Sequence, residues 1–203
     1  YEYDTRDQLI RENDPIAGIS REYQYRDGGQ LYYEVETPYT TGDLSWSIPT
    51  VQYTGDSNWE DMLIAVNGQS ITRDAIGNML SYNGYTYTWE HGRELATMSK
   101  SGDTWTFTYD ANGMRTKKVK TNSSGTATDT YTYVYNGSQL SQMTKNSTVL
   151  NFFYDGEGRP AYFTYNNATY YYVTNLQGDV IAILYSNGTM AASYHYDAYG
   201  ALV

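Results

Sequence analysis

Few residues of this chain have a type and spacing that could do chemistry. In "GDSNWEDML", Asp56, Glu60 and Asp61 gather three carboxylates, the raw material of a glycosidase acid/base pair or a calcium loop. The stretch lacks the Asp-x-Asp-x-Asp-Gly order of an EF-hand, and it reads as a solvated loop. The two histidines are His91, in the turn "WEHGREL", and His195, between tyrosines in "SYHYD". Neither sits in the setting of a nucleophile and its base, so both read as structural. With no cysteine there is neither a disulfide framework nor a thiolate zinc site. No catalytic residue, metal site or cofactor is expected.

Aromatic rings supply the other possible chemistry. Trp46 and Trp59 lie in the irregular part of the chain, and their flat apolar faces are candidates for glycan contact. The competing reading is that rings in this chain serve sheet packing, because most of them alternate strictly along strands. Triplets of the form Asn-x-Ser/Thr, as at Asn122, Asn146 and Asn187, are expected by chance in so Asn-, Ser- and Thr-rich a sequence. A formal charge of −10, with 13 basic residues, argues against a nucleic-acid groove, which needs clustered Lys and Arg. The longest aliphatic run, Val180 to Leu184, is far shorter than the roughly 20 residues of a membrane span. The absence of a starting Met or a basic and apolar leader, and the stop at "YGALV" straight after a motif, read as a fragment of something longer.

What must position these groups is a repeat. Glycines at 77, 92, 113, 137, 158 and 178 recur at a spacing long enough for two short strands and two turns. Between them run period-2 strands with one aromatic face: Tyr85, Tyr87 and Trp89; Trp105, Phe107 and Tyr109; Tyr131, Tyr133 and Tyr135. No window sustains a helical apolar period, and 25 tyrosines with 18 glycines suit strands and turns.

The strands are punctuated by one phrase. Asp74 to Gly77, Asp110 to Gly113, Asp155 to Gly158 and Asp197 to Gly200 each place Asp first and Gly fourth, as a type I turn prefers. The carboxylate can accept from the N–H two residues on, and Gly takes the left-handed conformation. Tyr109, Tyr154 and Tyr196 precede three of these acids, and Tyr3 precedes Asp4 in "YDTRDQL". The tyrosines are expected to pair rings across neighbouring hairpins. Three corners depart from the phrase: Asp7 holds the Gly position, Arg26 an Asp position and Arg73 a Tyr position. Each is expected to turn less tightly.

The fold class expected is therefore all-β, built from repeated antiparallel hairpins. We expect a single region over residues 1–203, less regular over 1–36, with a long loop at about 37–60 where Pro38, Gly42 and Pro49 fall, and regular repeats over 61–203. An array too short to close would expose sheet edges and invite self-association.

The stretches "YDANGMRT", "YDGEGRP", "RDAIGNMLSYNGYTYTWEHGREL" and "YYYVTNLQGDVIAILYSNGTMAASYHYDAYG" carry a resemblance. They resemble the YD-repeat, or Rhs-repeat, proteins, and are most similar to the secreted wall-associated proteins of Gram-positive bacteria. The likeness is strong over about 60–200 and moderate over 1–36. It implies a curved, spiralling sheet that in full-length relatives closes into a hollow shell. In bacterial relatives the shell encloses a C-terminal toxin, and in the animal teneurins it belongs to an adhesion receptor. "YHYDAYG" resembles the beginning of the family's terminal core segment. The DPxGxxxP-like self-cleavage motif of many relatives is absent, so no catalytic residue is carried over. The resemblance implies a structural segment of a secreted or cell-surface shell, with adjacent repeats and an enclosed toxin as partners. A carbohydrate-binding or adhesion module is the alternative.

Overall fold

The computed structural model describes residues 1–43, 49–59 and 61–203, and within them every regular element is a strand. Seven form one antiparallel sheet in chain order: β1 (Glu2–Tyr3), β2 (Leu9–Asp14), β3 (Ile19–Tyr25), β4 (Leu31–Pro38), β5 (Val51–Gly55), β6 (Leu63–Val66) and β7 (Gln69–Ser70). Thirteen form a second. Its first strands are β8 (Thr72–Arg73), β9 (Met79–Tyr82), β10 (Tyr85–Glu90), β11 (Glu94–Lys100), β12 (Asp103–Tyr109) and β13 (Arg115–Thr121). It continues through β14 (Ala127–Asn136), β15 (Gln139–Lys145), β16 (Thr148–Tyr154), β17 (Pro160–Tyr165), β18 (Ala168–Thr174), β19 (Val180–Tyr185) and β20 (Met190–Ser193). Each strand pairs with its neighbours in sequence, so both sheets are meanders.

The expected loop at 37–60 is broken up. Residues 37 and 38 end β4, and β5 crosses the window with Gln52 opposite Tyr33 and Val51 opposite Glu34. The pattern of "VQYTG" is short, preceded by Pro49 and ended by Gly55, which hid a strand too brief to show its alternation.

By contacts the chain divides into two compact units where one region was expected. The first comprises 1–83 with 196–201 and 203; the second comprises 84–195 with 202. In the first unit the buried residues include Tyr23, Val35 and Ile71 together with Arg11, Glu12, Asp14, Ser20, Arg21 and Asn78. In the second unit β10, β12 and β14 each carry rings on one face, and β16 to β18 carry them on both. Tyr85, Tyr87 and Trp89 are part-covered while Thr86 and Thr88 between them are exposed. Cross-strand ring pairs follow from register: Phe163 stacks on Tyr170 at 5.0 Å and Phe153 on Tyr162 at 4.4 Å. Lys118 sits over Tyr131 at 4.2 Å and Trp105 at 4.9 Å, so its charge rests on ring faces.

A meander places successive turns at alternate ends of the sheet. In the second unit, one end receives the turns at Gly92, Gly113, Gly137, Gly158 and Gly178. The other end receives Ser101–Gly102, Asn122–Gly125, Asn146–Ser147, Asn166–Asn167 and Tyr185–Gly188. The glycine period seen in the sequence is thus the return of the chain to one rim, once per hairpin.

Candidate functional site

The corners share one geometry. At Asp110 the backbone N–H donates to the Met114 carbonyl at 2.9 Å, and the Gly113 N–H donates back to the Asp110 carbonyl at 3.0 Å. Asp110 Oδ1 accepts from the N–H groups of Asn112 and Met114. Gly113 has φ +76°, a conformation that costs a residue with a Cβ. The carboxylates of Asp4, Asp74, Asp155 and Asp197 each accept the same pair of N–H bonds. Asn122 and Asn175 do so with an amide oxygen, a substitution the Asp-based phrase missed. These bonds hold Asp155 below the usual carboxylate range, led by the Arg159 N–H, and Asp4 likewise, led by Gln8. At Asp74 burial pushes the pKa up, but the bonds from Asn78 and Ile76 outweigh it and the net shift is down.

Each corner ends in a register shift that takes a carbonyl out of the ladder. The corner tyrosines answer it. The Tyr109 hydroxyl donates to the Leu95 carbonyl at 3.1 Å, Tyr135 to Arg115 at 2.9 Å and Tyr154 to Leu140 at 2.9 Å. Each acceptor is the residue opposite the aromatic that precedes the previous corner on that rim. A relay of phenols therefore ties hairpin to hairpin. In the first unit Tyr25 donates likewise to Leu9, opposite Tyr3, at 2.7 Å.

The departures are no looser than the rest. Asp7 turns with φ +57° and its N–H donates to Asp4 at 3.1 Å; the Arg26 corner closes through two bonds of 2.9 Å. Arg73 replaces the phenol: its guanidinium donates to the Leu63 carbonyl at 2.9 and 3.1 Å, the residue opposite Gly55 at a register shift. Arg26 instead lies 4.5 Å over the Tyr32 ring.

The first unit also holds an ionic core that the sequence reading did not foresee. Register sets Glu12, Arg21 and Glu36 side by side on β2, β3 and β4, and on the opposite face Arg11 beside Glu22. Arg21 meets Glu12 at 3.3 Å, Glu36 at 2.9 Å and Glu34 at 3.6 Å, and the Tyr23 hydroxyl donates to Glu12 at 3.0 Å. Arg11 donates to the carbonyls of Thr40 and Gly42, and so pins the chain that leaves β4. Burial would lower the Arg21 pKa, but Glu36 and Glu12 together raise it. Glu34 is pushed up by burial, which Arg21 only partly offsets. The signal was charge written into strands, "RE" at 11–12 and 21–22 and "EVE" at 34–36, legible only once the register is known.

The terminal corner joins this unit. The Tyr199 ring meets Tyr23 edge-on at 5.1 Å, and its hydroxyl is hydrogen-bonded to that of Tyr25. Trp59 is 57% exposed, whereas Trp46 and Glu60 lie outside the described residues. Asp56 is used locally, accepting from the N–H groups of Asn58 and Trp59, while Asp61 bonds to Gln30 Nε2 across the sheet. His91 Nδ1 lies 3.0 Å from Glu94 in an exposed turn. Among the described residues no group of three or more His, Asp or Glu is placed to hold a metal, and no helix is long and apolar enough to cross a membrane.

No family model matches the chain. It is 33% identical over 147 residues to the tRNA3(Ser)-specific nuclease WapA of Bacillus spizizenii, and 31% identical over 147 residues to the tRNA nuclease WapA of Bacillus subtilis strain 168. Each match covers 69% of this chain and 6% of the relative, so the chain spans a small part of those proteins. Among solved structures it is similar to the Photorhabdus luminescens Tc holotoxin pore carrying the TccC3 mutation D651A, with TM-score 0.67 and 17% identity over 91% of this chain and 10% of that one. The TcdB2–TccC3 crystal structure gives TM-score 0.64 at the same identity and coverage. At that identity the likeness is one of fold.

Proposed function

Because this chain belongs to the YD-repeat, or Rhs-repeat, family, we propose that it is a non-catalytic wall segment of a secreted or surface-displayed shell that encloses or presents another polypeptide, such as a C-terminal toxin. The observation that carries the reading is the phenol relay, which fastens each hairpin to the previous one at every corner from Leu95 to Tyr154. A wall needs this kind of repeated, local fastening at every hairpin. The outer strands β1 and β20 offer unpaired edges on which flanking repeats, or a second copy of the chain, can add.

Limited proteolysis of the parent protein tests the enclosing role. Deleting β15 and β16 as one hairpin should leave the downstream polypeptide open to protease while the intact protein protects it; equal protection would overturn the reading. Incubated alone with tRNA, the 203-residue chain should leave it whole, and cleavage abolished by a single substitution would assign it a catalytic role instead.

A further inference from the structure

The corner at 196–201 belongs to the first unit, which the chain leaves at residue 83 and rejoins at residue 196. Tyr199 seats it on β3: its hydroxyl is hydrogen-bonded to that of Tyr25, and its ring meets the Tyr23 ring edge-on at 5.1 Å. The seat is shallow, since Tyr199 remains 56% exposed. A contact so slight can be shifted by the charges around it.

Those charges are fixed by register. Tyr23 stands directly opposite Glu34, and Arg21 stands between Glu12 and Glu36, so the corner lies against the face that carries the ionic core. Around Glu34 are Glu12 from β2, Arg21 and Tyr23 from β3, Glu36 from β4 and Tyr53 from β5, whose hydroxyl donates to Glu34. The corner adds Tyr199 and a further carboxylate, Asp197. Three carboxylates already share the Arg21 guanidinium, so the fourth arrives where negative charge is in excess. Asp197 is held to its turn, because its Oδ1 accepts from the Tyr199 and Ala201 N–H groups.

We propose that this corner is an acid-tightened clasp, in which protonation of Glu34 relieves its repulsion with Asp197 and seats Tyr199 more firmly on Tyr23 and Tyr25. Burial raises the Glu34 pKa above its ordinary 4.5, and Asp197 adds to the rise against the pull of Arg21. Lifting the corner takes Asp197 away, so Glu34 holds its proton more tightly when the corner is seated. The added grip is therefore complete below 4.5 and is lost as pH rises through the seated value. This inference is independent of the enclosing role.

Hydrogen exchange at the Asp197 and Gly200 amides of the 203-residue chain tests it, with rates corrected for the pH dependence of an unstructured amide. The Asp110 and Gly113 amides serve as reference, since that corner has the same carboxylate-bonded turn and no such neighbours. Relative to them, protection at 197 and 200 should rise by about threefold or more between pH 7.5 and pH 4.5. Tyr199→Ala should lower protection at both pH values and abolish the response. Glu34→Gln and Asp197→Asn should each raise protection at pH 7.5 and flatten the response, and either serves if the other misfolds. Asn preserves the corner, as Asn122 and Asn175 close theirs with an amide oxygen. Protection that does not change with pH, or a response that survives both charge variants, would overturn the proposal.

Discussion

The two units hold the same kind of strand together by different means. In 1–83 the faces around β3 are closed by charge: Glu12 is 2% exposed, Arg21 is 6% exposed, and three carboxylates surround one guanidinium. In 84–195 few side chains are fully buried, and cohesion comes from ring pairs and from phenols that satisfy displaced carbonyls. An ionic core built on one shared cation hangs on that cation, because removing Arg21 leaves its carboxylates buried and uncompensated. A relay of local bonds loses one member at a time.

That contrast can be broken most directly at Arg21. Arg21→Met leaves Glu12, Glu34 and Glu36 facing one another, and should cost about 3–5 kcal/mol in urea unfolding at neutral pH. A loss under about 1 kcal/mol would mean that water already screens the cluster. In the second unit Gly113→Ala should cost about 1–2 kcal/mol, since it forces a Cβ into a left-handed corner without a steric clash; the nearest neighbour of that Cβ, Glu94 Oε1, is 3.7 Å away. Tyr154→Phe keeps the ring and removes the donor to Leu140, so a loss of about 0.5–1.5 kcal/mol is expected. Tyr109→Phe should behave alike, and the pair should add within about 0.5 kcal/mol if the relay is local.

The smallest effect sharpens the comparison through pH. Burial raises Glu34, so its protonated form is favoured by folding: its contribution is present below the ordinary value of 4.5 and lost as pH rises through the folded value. Asp4, Asp74 and Asp155 are lowered, so their contribution is present above 3.8 and lost as pH falls through their folded values. Glu34→Gln should therefore raise the thermal midpoint slightly at pH 7, and the gain should vanish by about pH 4; a gain that persists in acid would show that charge is not its cause.

The parts of this molecule legible in the sequence are those whose physics is local. An Asp that accepts from N–H groups two and four residues on, or a Gly that must turn left-handed, is decided within five residues, and so the corners could be read directly. The alternation of Tyr131, Tyr133 and Tyr135 gave the ring-bearing face for the same reason. The role of the corner tyrosine was only half legible: its ring suggested stacking, whereas its hydroxyl finds a carbonyl 14 to 20 residues earlier. Arg73 looked like a defect because its likeness to a phenol lies in reach and donor chemistry and not in residue type. The ionic core stayed hidden because register, set by β2 to β4, decides which charges meet.

The alternation of turns between the two rims has a bearing on how such a chain can grow or shrink. Adding or losing a single strand would send every later corner to the opposite rim, and the next phenol would find no displaced carbonyl within reach. Strands can be inserted or excised only in pairs, so the heritable module of this architecture is the hairpin, and recombination should leave lengths that differ by whole hairpins.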